Sequence, residues 1–464
     1  MRAYDWSRPQ LSSGGQASRS IEEIFGLGAE AFAAVPVLSG VSVPSSGLTY
    51  VTGYSGAGKS KLLELFLADH PEAHVPSAPT DDRPLLELFD LPLPEALHLL
   101  GQVGLGEAFC YLTPYRQLSD GQRTRARIAL AYAGDHRLLV IDEFLSTLDR
   151  TSAQIAAYGF QRFCRRNKVS AVVATAHADL ADALGPDLLI TLDYNGQHTG
   201  ERPDRGARTP FADRITVRRG TLADYDELSR FHYMGGLDVP PDAFDLSVQV
   251  AEVAGKVAAV KVQSPPYPRS WERFRAFRDV NESLTVSRRT VVHPVFRSLG
   301  LARIICNPQL ADRPRVFIRS ALGRFQPFPL SAGYREVPVA SNRRTELAAA
   351  VDDLFPPGDS AGGRAAAGTP LSAEVTAVLR LRCVELLLNE YVQYRELAGL
   401  TPLDGNALDK VRIWFERCNE LLSGDQLLSA ARPLAMAGFI AEWDPLQGSP
   451  GPGRPAGHEV GATA

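Results

Sequence analysis

The chain of 464 residues predicts an α/β fold built on a parallel sheet, and two features carry that expectation. Short apolar runs end at glycine or polar positions: Leu48–Thr52 before Gly53, Leu138–Ile141 before Asp142, and Val169–Thr175 just ahead of His177. Helical patterns lie between these runs, so each buried strand leads into a crossover and not a hairpin. In such sheets ligands bind beyond the carboxyl ends of the strands, which marks Gly53, Asp142 and His177 as the candidate site.

Length suits about three domains at roughly 150 residues each. Polar, turn-rich breaks at Asn195–Arg208 and Pro356–Pro370 divide the chain into 15–200, 210–350 and 371–445, followed by a Pro- and Gly-rich tail, 446–464, expected to be disordered. The last segment reads as a small helical unit: Thr369 and Pro370 form a start signal, and Leu371, Val375, Val378, Leu379, Cys383, Leu386, Leu387, Tyr391 and Tyr394 follow at helical spacing until Gly399. Shorter amphipathic stretches follow near 411–422 and 426–440.

Composition excludes several classes. The net charge of -4 gives no global nucleic-acid signal, and no apolar run approaches the ~18 residues that span a bilayer. The first residues, MRAYDWSRPQ, lack the apolar core of a secretory signal. Five scattered cysteines without a C-x-x-C pair fit a reducing cytoplasm and argue against structural zinc or disulfides. The cytoplasm is therefore the expected location, with no membrane partner.

Residues 53–60, GYSGAGKS, match the phosphate-loop pattern in full, after a strand and before the helical run KLLELFLA. Gly53, Ser55, Gly56 and Gly58 allow successive N–H groups to turn around phosphate oxygens. Lys59 brings a point charge, and the Ser60 hydroxyl suits Mg²⁺. Asp142 stands at a strand end, placed to hold the same Mg²⁺, and Glu143 beside it is the candidate base that polarises attacking water.

Leu118-Ser-Asp-Gly-Gln122, followed by RTRARIALA, resembles the signature motif of the ATP-binding cassette (ABC) superfamily. Leu145-Ser-Thr-Leu-Asp149 resembles its D-loop, and His177 falls where the family's switch histidine would. The resemblance covers 35–195 and implies ATP as ligand. It also implies a homodimer in which Ser119, Gly121 and Gln122 of one cassette close over ATP held by another. Lys59 and Leu118 are 59 positions apart, shorter than in transporter cassettes, which disfavours a transporter subunit. The family's Q-loop glutamine is not evident in that interval, whose only glutamines, Gln102 and Gln117, lie in its later part; the adenine-stacking aromatic is ambiguous between Phe25 and Phe32.

The middle segment carries another pattern. Strand candidate Leu284–Val292 leads into His293-Pro-Val-Phe-Arg297-Ser-Leu-Gly300-Leu-Ala302. R-x-x-G-x-A between a strand and a helix resembles motif A of the GNAT acyl-CoA-dependent acetyltransferases, which implies an acetyl-CoA site at Val292, Arg297, Leu299, Gly300 and Ala302. Tyr334 sits where that family often has its acid; His232 and Glu252 are candidate acceptor-side groups. Thirteen arginines between Pro268 and Arg335, interleaved with Trp271, Phe274 and Phe277, admit a nucleic-acid partner, CoA phosphates or a coding bias toward Arg.

The whole resembles a family of ABC-type ATPases fused to a predicted acetyltransferase. The leading expectation is an ATP hydrolase, with Glu143 and His177 catalytic, that gates acetyl transfer through Tyr334 to a macromolecular acceptor. The alternative is an ATP-switched binding module whose GNAT-like fold is not catalytic.

Overall fold

The computed structural model describes residues 2–8, 15–27, 33, 35–194, 196–203, 209–233, 236–337, 373–422, 426 and 441–445. They form two compact units. The first comprises 1–215 together with 293–299, the second 216–292 and 300–464.

In the first unit, strands β1 (Arg2–Arg8) and β2 (Val35–Val43) form an antiparallel pair. The main sheet contains β3 (Leu48–Gly53), β4 (Leu138–Ile141), β5 (Ser170–Ala174), β6 (Leu188–Leu192) and β7 (His198–Glu201), in the order β4-β5-β3-β6-β7. The first four run parallel and β7 is antiparallel to β6. The central place of β3 follows from its sequence, LTYVT, which is buried from end to end. Helix α2 (Lys59–Asp69) places Leu62, Leu63 and Phe66 in a core shared with Tyr4, Leu38, Val41 and Val51. Helices α3 (Leu93–Gln102), α4 (Ala108–Leu112), α5 (Asp120–Ala133), α6 (Arg150–Asn167) and α7 (Ala181–Leu184) complete the unit. One expectation is corrected here: the stretch read as a linker, 195–208, contributes β7. A run of HTGE has no apolar period of its own, and only its pairing with β6 makes it a strand.

The second unit is a seven-stranded sheet of β8 (Ile215–Gly220), β9 (Ser247–Val253), β10 (Lys256–Ser264), β11 (Leu284–Val292), β12 (Arg315–Ser320), β13 (Tyr334–Val337) and β14 (Ala441–Pro445). Its order is β13-β14-β12-β11-β10-β9-β8. Neighbours β9–β10, β10–β11, β12–β14 and β13–β14 are antiparallel, whereas β11 and β12 are parallel. Val248, Val250, Val260, Val262 and Val291, at alternating positions, pack with Tyr225 and Leu228 of α8 (Leu222–Ser229). Helices α9 (Arg275–Ser283), α10 (Leu301–Ile305) and α11 (Phe328–Ser331) belong to the same unit.

The expected separate helical unit over 371–445 is not what the structure contains. Helices α12 (Ala373–Leu397) and α13 (Gly405–Glu420) place Val384, Leu388, Tyr391, Tyr394, Val411 and Phe415 in one core with Phe277 of α9, Val286 of β11 and Phe317 of β12. The segment then supplies β14, which lies between β12 and β13. The apolar stripe of α12 needed a surface to bury against, and the sheet of the second unit provides it. The Thr369–Pro370 start signal, most of the 426–440 stretch and the 446–464 tail lie outside the described residues.

Candidate functional site

The phosphate loop turns directly from β3 into α2. Gly53 has φ 140°, and a Cβ there would lie 2.1 Å from the Leu192 carbonyl oxygen, so only glycine fits beside β6. Gly58, which precedes α2, has φ 91°, and a Cβ would meet Val37 Cγ1 at 2.8 Å. Lys59 is buried, and its Nζ donates to the carbonyl oxygens of Gly53 (2.8 Å) and Tyr54 (2.9 Å). The ammonium thus holds its own loop in a ring. Ser55, Gly56 and Ser60 stay exposed.

Asp142 and Glu143 follow β4 and are both exposed. Glu143 has φ 49° and Leu145 φ 56°, left-handed conformations that cost side chains energy and persist where the surroundings impose them. The imposing contact is Phe144, which is 1% exposed and whose N–H donates to the Ala174 carbonyl (2.8 Å). Burying Phe144 leaves its two acidic predecessors facing solvent at the strand end. Asp142 Oδ1 accepts the Glu143 N–H at 2.9 Å. His177 is half-buried beyond β5; its carbonyl accepts a hydrogen bond from the hydroxyl of Tyr50 on β3. Burial pushes the Tyr50 phenol well above its ordinary pKa, so it remains a donor.

Ser119 caps α5 in a reciprocal pair with Gln122: its N–H donates to Gln122 Oε1 (3.0 Å) and its hydroxyl accepts from Gln122 N–H (3.4 Å). Ser119 is exposed while Gly121 is buried, and a Cβ on Gly121 would lie 3.5 Å from Leu148 in the D-loop. Asp149 caps α6, and Arg150 pairs with Asp179 beside His177. Tyr50, Arg150 and Asp179 were not singled out from the sequence; their signal is a contact between distant segments, which periodicity cannot carry.

Several expected residues lie elsewhere. Gln102 is bound to Asn167 (2.8 Å) and His98 (2.8 Å) at the end of α3. Phe25 is exposed at the end of α1 (Gln16–Phe25), and Phe32 lies outside the described residues. Glu252 is held by Arg218 at 2.7 Å. His232 stacks on Tyr233, and burial, with Arg289 assisting, holds its pKa down at about 4. Tyr334 is buried at the start of β13.

The acetyl-CoA set is divided. Arg297 and Leu299 belong to the first unit, whereas Val292, Gly300 and Ala302 belong to the second. Arg297 is corrected as a phosphate ligand: its guanidinium pairs with Glu107 at 2.9 Å, with side chains only 15% and 9% exposed. Part of the arginine-rich stretch is engaged within the fold. Arg288 bonds Ser264 and Pro265, Arg289 the Gly236 carbonyl, Arg313 Asp245, Arg315 the Leu397 carbonyl and Arg319 Glu390. Trp271 and Phe277 join the core. Arg269, Arg273, Arg275 and Arg278, the arginines interleaved with the aromatic residues, remain exposed.

Among the described residues no three His, Cys, Asp or Glu side chains gather to hold a metal, and no helix is long and apolar enough to cross a membrane. Ser60 and Asp142 offer exposed hard oxygens, which suit Mg²⁺ held jointly with nucleotide phosphates.

Comparisons with known proteins fall on part of the chain. No protein-family model matches it. The phosphonates import ATP-binding protein PhnC 1 of Trichodesmium erythraeum is 35% identical over 100 residues, 21% of this chain and 39% of that protein. The lipoprotein-releasing system ATP-binding protein LolD of Anaeromyxobacter dehalogenans is 31% identical over a 214-residue alignment, covering 37% of this chain and 87% of that protein. The dimeric structure of MJ0796, a bacterial ABC transporter cassette, aligns with a TM-score of 0.29 at 17% identity over 37% of this chain and 92% of that one.

Binding and splitting a nucleoside triphosphate is the chemistry this arrangement serves, and it makes the first unit a P-loop ATPase. More narrowly, with LolD matched over 87% of its length, the chain belongs to the ATP-binding cassette family.

Proposed function

We propose that the protein is an ATP hydrolase working as a head-to-tail homodimer, coupled to acyl-CoA-dependent acetylation of an amine by its second unit. In the ATPase, the loop amides and Lys59 bind the β- and γ-phosphates; Ser60 and Asp142 would hold Mg²⁺, which would supply neutralisation of the phosphate charge. Glu143 orients and deprotonates the attacking water, and His177 contacts the γ-phosphate side of the site. Ser119 of a second copy caps the triphosphate. The observation that carries this half is the conjunction of a Lys59-closed phosphate loop with a reciprocally capped, exposed Ser119. Glu143→Gln should hydrolyse ATP about 100-fold or more slowly and accumulate as an ATP-bound dimer in size-exclusion chromatography. A variant that stays monomeric with ATP would count against the head-to-tail arrangement.

The acetyl-transfer half rests on the sheet. Strands β11 and β12 pair in parallel from Leu284–Arg315 to Ser287–Ile318, and among the described residues they pair no further although β11 runs on to Val292. Strands that part in this way leave backbone N–H and C=O groups able to bond an extended amide chain, such as the pantetheine arm of CoA. Gly300, at φ 77° with no atom within 4 Å of a Cβ position, gives an open backbone just beyond β11. The amine attacks the thioester carbonyl, a C–N bond forms as the C–S bond breaks, and the amine proton ends on the CoA thiolate; Tyr334 is the candidate donor. Calorimetry with acetyl-CoA tests this half: heat in the wild type and none in Gly300→Glu is expected. No heat in the wild type, with ATP still bound, would leave the second unit as a recognition module.

A further inference from the structure

The chain leaves the second unit at Val292, gives His293–Leu299 to the first, and returns at Gly300. Those residues are built into the first unit. Phe296 and Leu299 are each 6% exposed. Ser298 lies where a Cβ on Gly159, in the middle of α6, would meet its Oγ at 2.5 Å, and Arg162 donates to the Ser298 carbonyl at 3.1 Å. A glycine inside an eighteen-residue helix weakens that helix, and here its lack of a side chain makes room for Ser298. Arg297 reaches Glu107 at the start of α4. Three residues earlier, the Gly104 carbonyl accepts from Arg125 at 3.0 Å, and Arg125 belongs to α5, the helix that Ser119 caps. Gln122, the other half of that cap, donates to Cys110 of α4 at 3.2 Å. The loop 104–107 is therefore gripped from one side by the signature helix and from the other by Arg297.

We propose that Arg297 is a positioning residue of the ATPase: by fixing Glu107 it sets the loop 104–107, and through Arg125 and Gln122 the attitude of the signature turn at Ser119. The reaction depends on that turn meeting a nucleotide across the dimer, so the inference rests on the head-to-tail reading. Phosphate-loop binding of ATP within one chain does not involve Arg297, whereas closure and turnover do.

The test uses the full chain, with ATP affinity from calorimetry, turnover from phosphate release, and ATP-dependent dimerisation in the Glu143→Gln background. Arg297→Ala should lower kcat at least tenfold and abolish the ATP-bound dimer while ATP affinity stays within twofold. Arg297→Lys, which keeps the charge, should recover a substantial part of kcat. Removing one partner of a buried pair can unfold a protein, so the double variant Glu107→Met with Arg297→Met keeps the inference exposed: apolar replacement of both partners preserves folding more often than single removal. That variant should retain wild-type thermal unfolding and still lose at least tenfold in kcat. Wild-type kcat in it overturns the inference, as does a parallel loss of ATP affinity in Arg297→Ala. Failure of the unsubstituted Glu143→Gln chain to dimerise would instead strike the head-to-tail reading.

Discussion

Two loops in this molecule share a grammar, a strand, a glycine-bearing turn and a helix, and differ in where their cation goes. In the phosphate loop, Lys59 folds back on the carbonyls of Gly53 and Tyr54 and opens α2, a helix of eleven residues. In the loop after β11, Arg297 turns to Glu107, and the following α10 has only five residues. The first loop closes on itself and leaves its amides for an anion. The second spends its charge on the protein, and so short a helix has little macrodipole to offer a pyrophosphate. The same grammar turns its cation onto the loop itself in one place and onto a distant carboxylate in the other.

The largest expected effect sharpens that contrast. Lys59→Ala should reduce kcat/KM for ATP by about 100-fold or more, because it removes both the cation and the ring that orders the loop; phosphate release measures it. Residual activity near wild type would mean that the loop needs no internal lock. Next come the glycines. Gly53→Ala places a Cβ 2.1 Å from a main-chain oxygen and should cost about 3 kcal/mol in denaturant unfolding. Gly300→Ala meets no atom within 4 Å but keeps φ 77°, so its cost should be about 1 kcal/mol. Equal costs would erase the distinction drawn between the two turns.

The smallest effect concerns His232, in the second unit. Its pKa is lowered by burial to about 4, below the ordinary value of 6.5, so the unfolded chain takes up the proton first. Its contribution to stability is complete above about pH 6.5 and lost as pH falls toward 4. About 1–2 kcal/mol should disappear over that window, after allowance for partial exposure, and His232→Gln should flatten this part of the curve. A pH profile unchanged by the substitution would show that His232 is not held neutral.

Legibility followed locality. The phosphate loop, the acidic pair and the signature turn are contiguous in sequence, and β3, β4 and β5 announce themselves as apolar runs that end at polar positions. The features that escaped depend on partners far along the chain. HTGE at 198–201 and AEWDP at 441–445 are strands because other strands bind them, not because of any periodicity. The stripe on α12 reads as a self-contained helical unit until its core is seen to include Phe277 and Phe317. Arg density looked like a surface property, yet Arg288, Arg289 and Arg315 bond main-chain carbonyls inside the fold. Glu107 carried no motif, and nothing in its neighbourhood names Arg297.

The discontinuity of the first unit has a bearing on biosynthesis. A ribosome that has released residue 215 has not yet supplied the counterion of Glu107 or the filling of the hollow at Gly159. By the time residue 299 emerges, β8 through β11 have already been made. The cassette therefore completes its packing only after those four strands have been made, and a nascent chain stalled between these points would still lack Phe296 and Leu299, leaving apolar surface of the kind that chaperones bind.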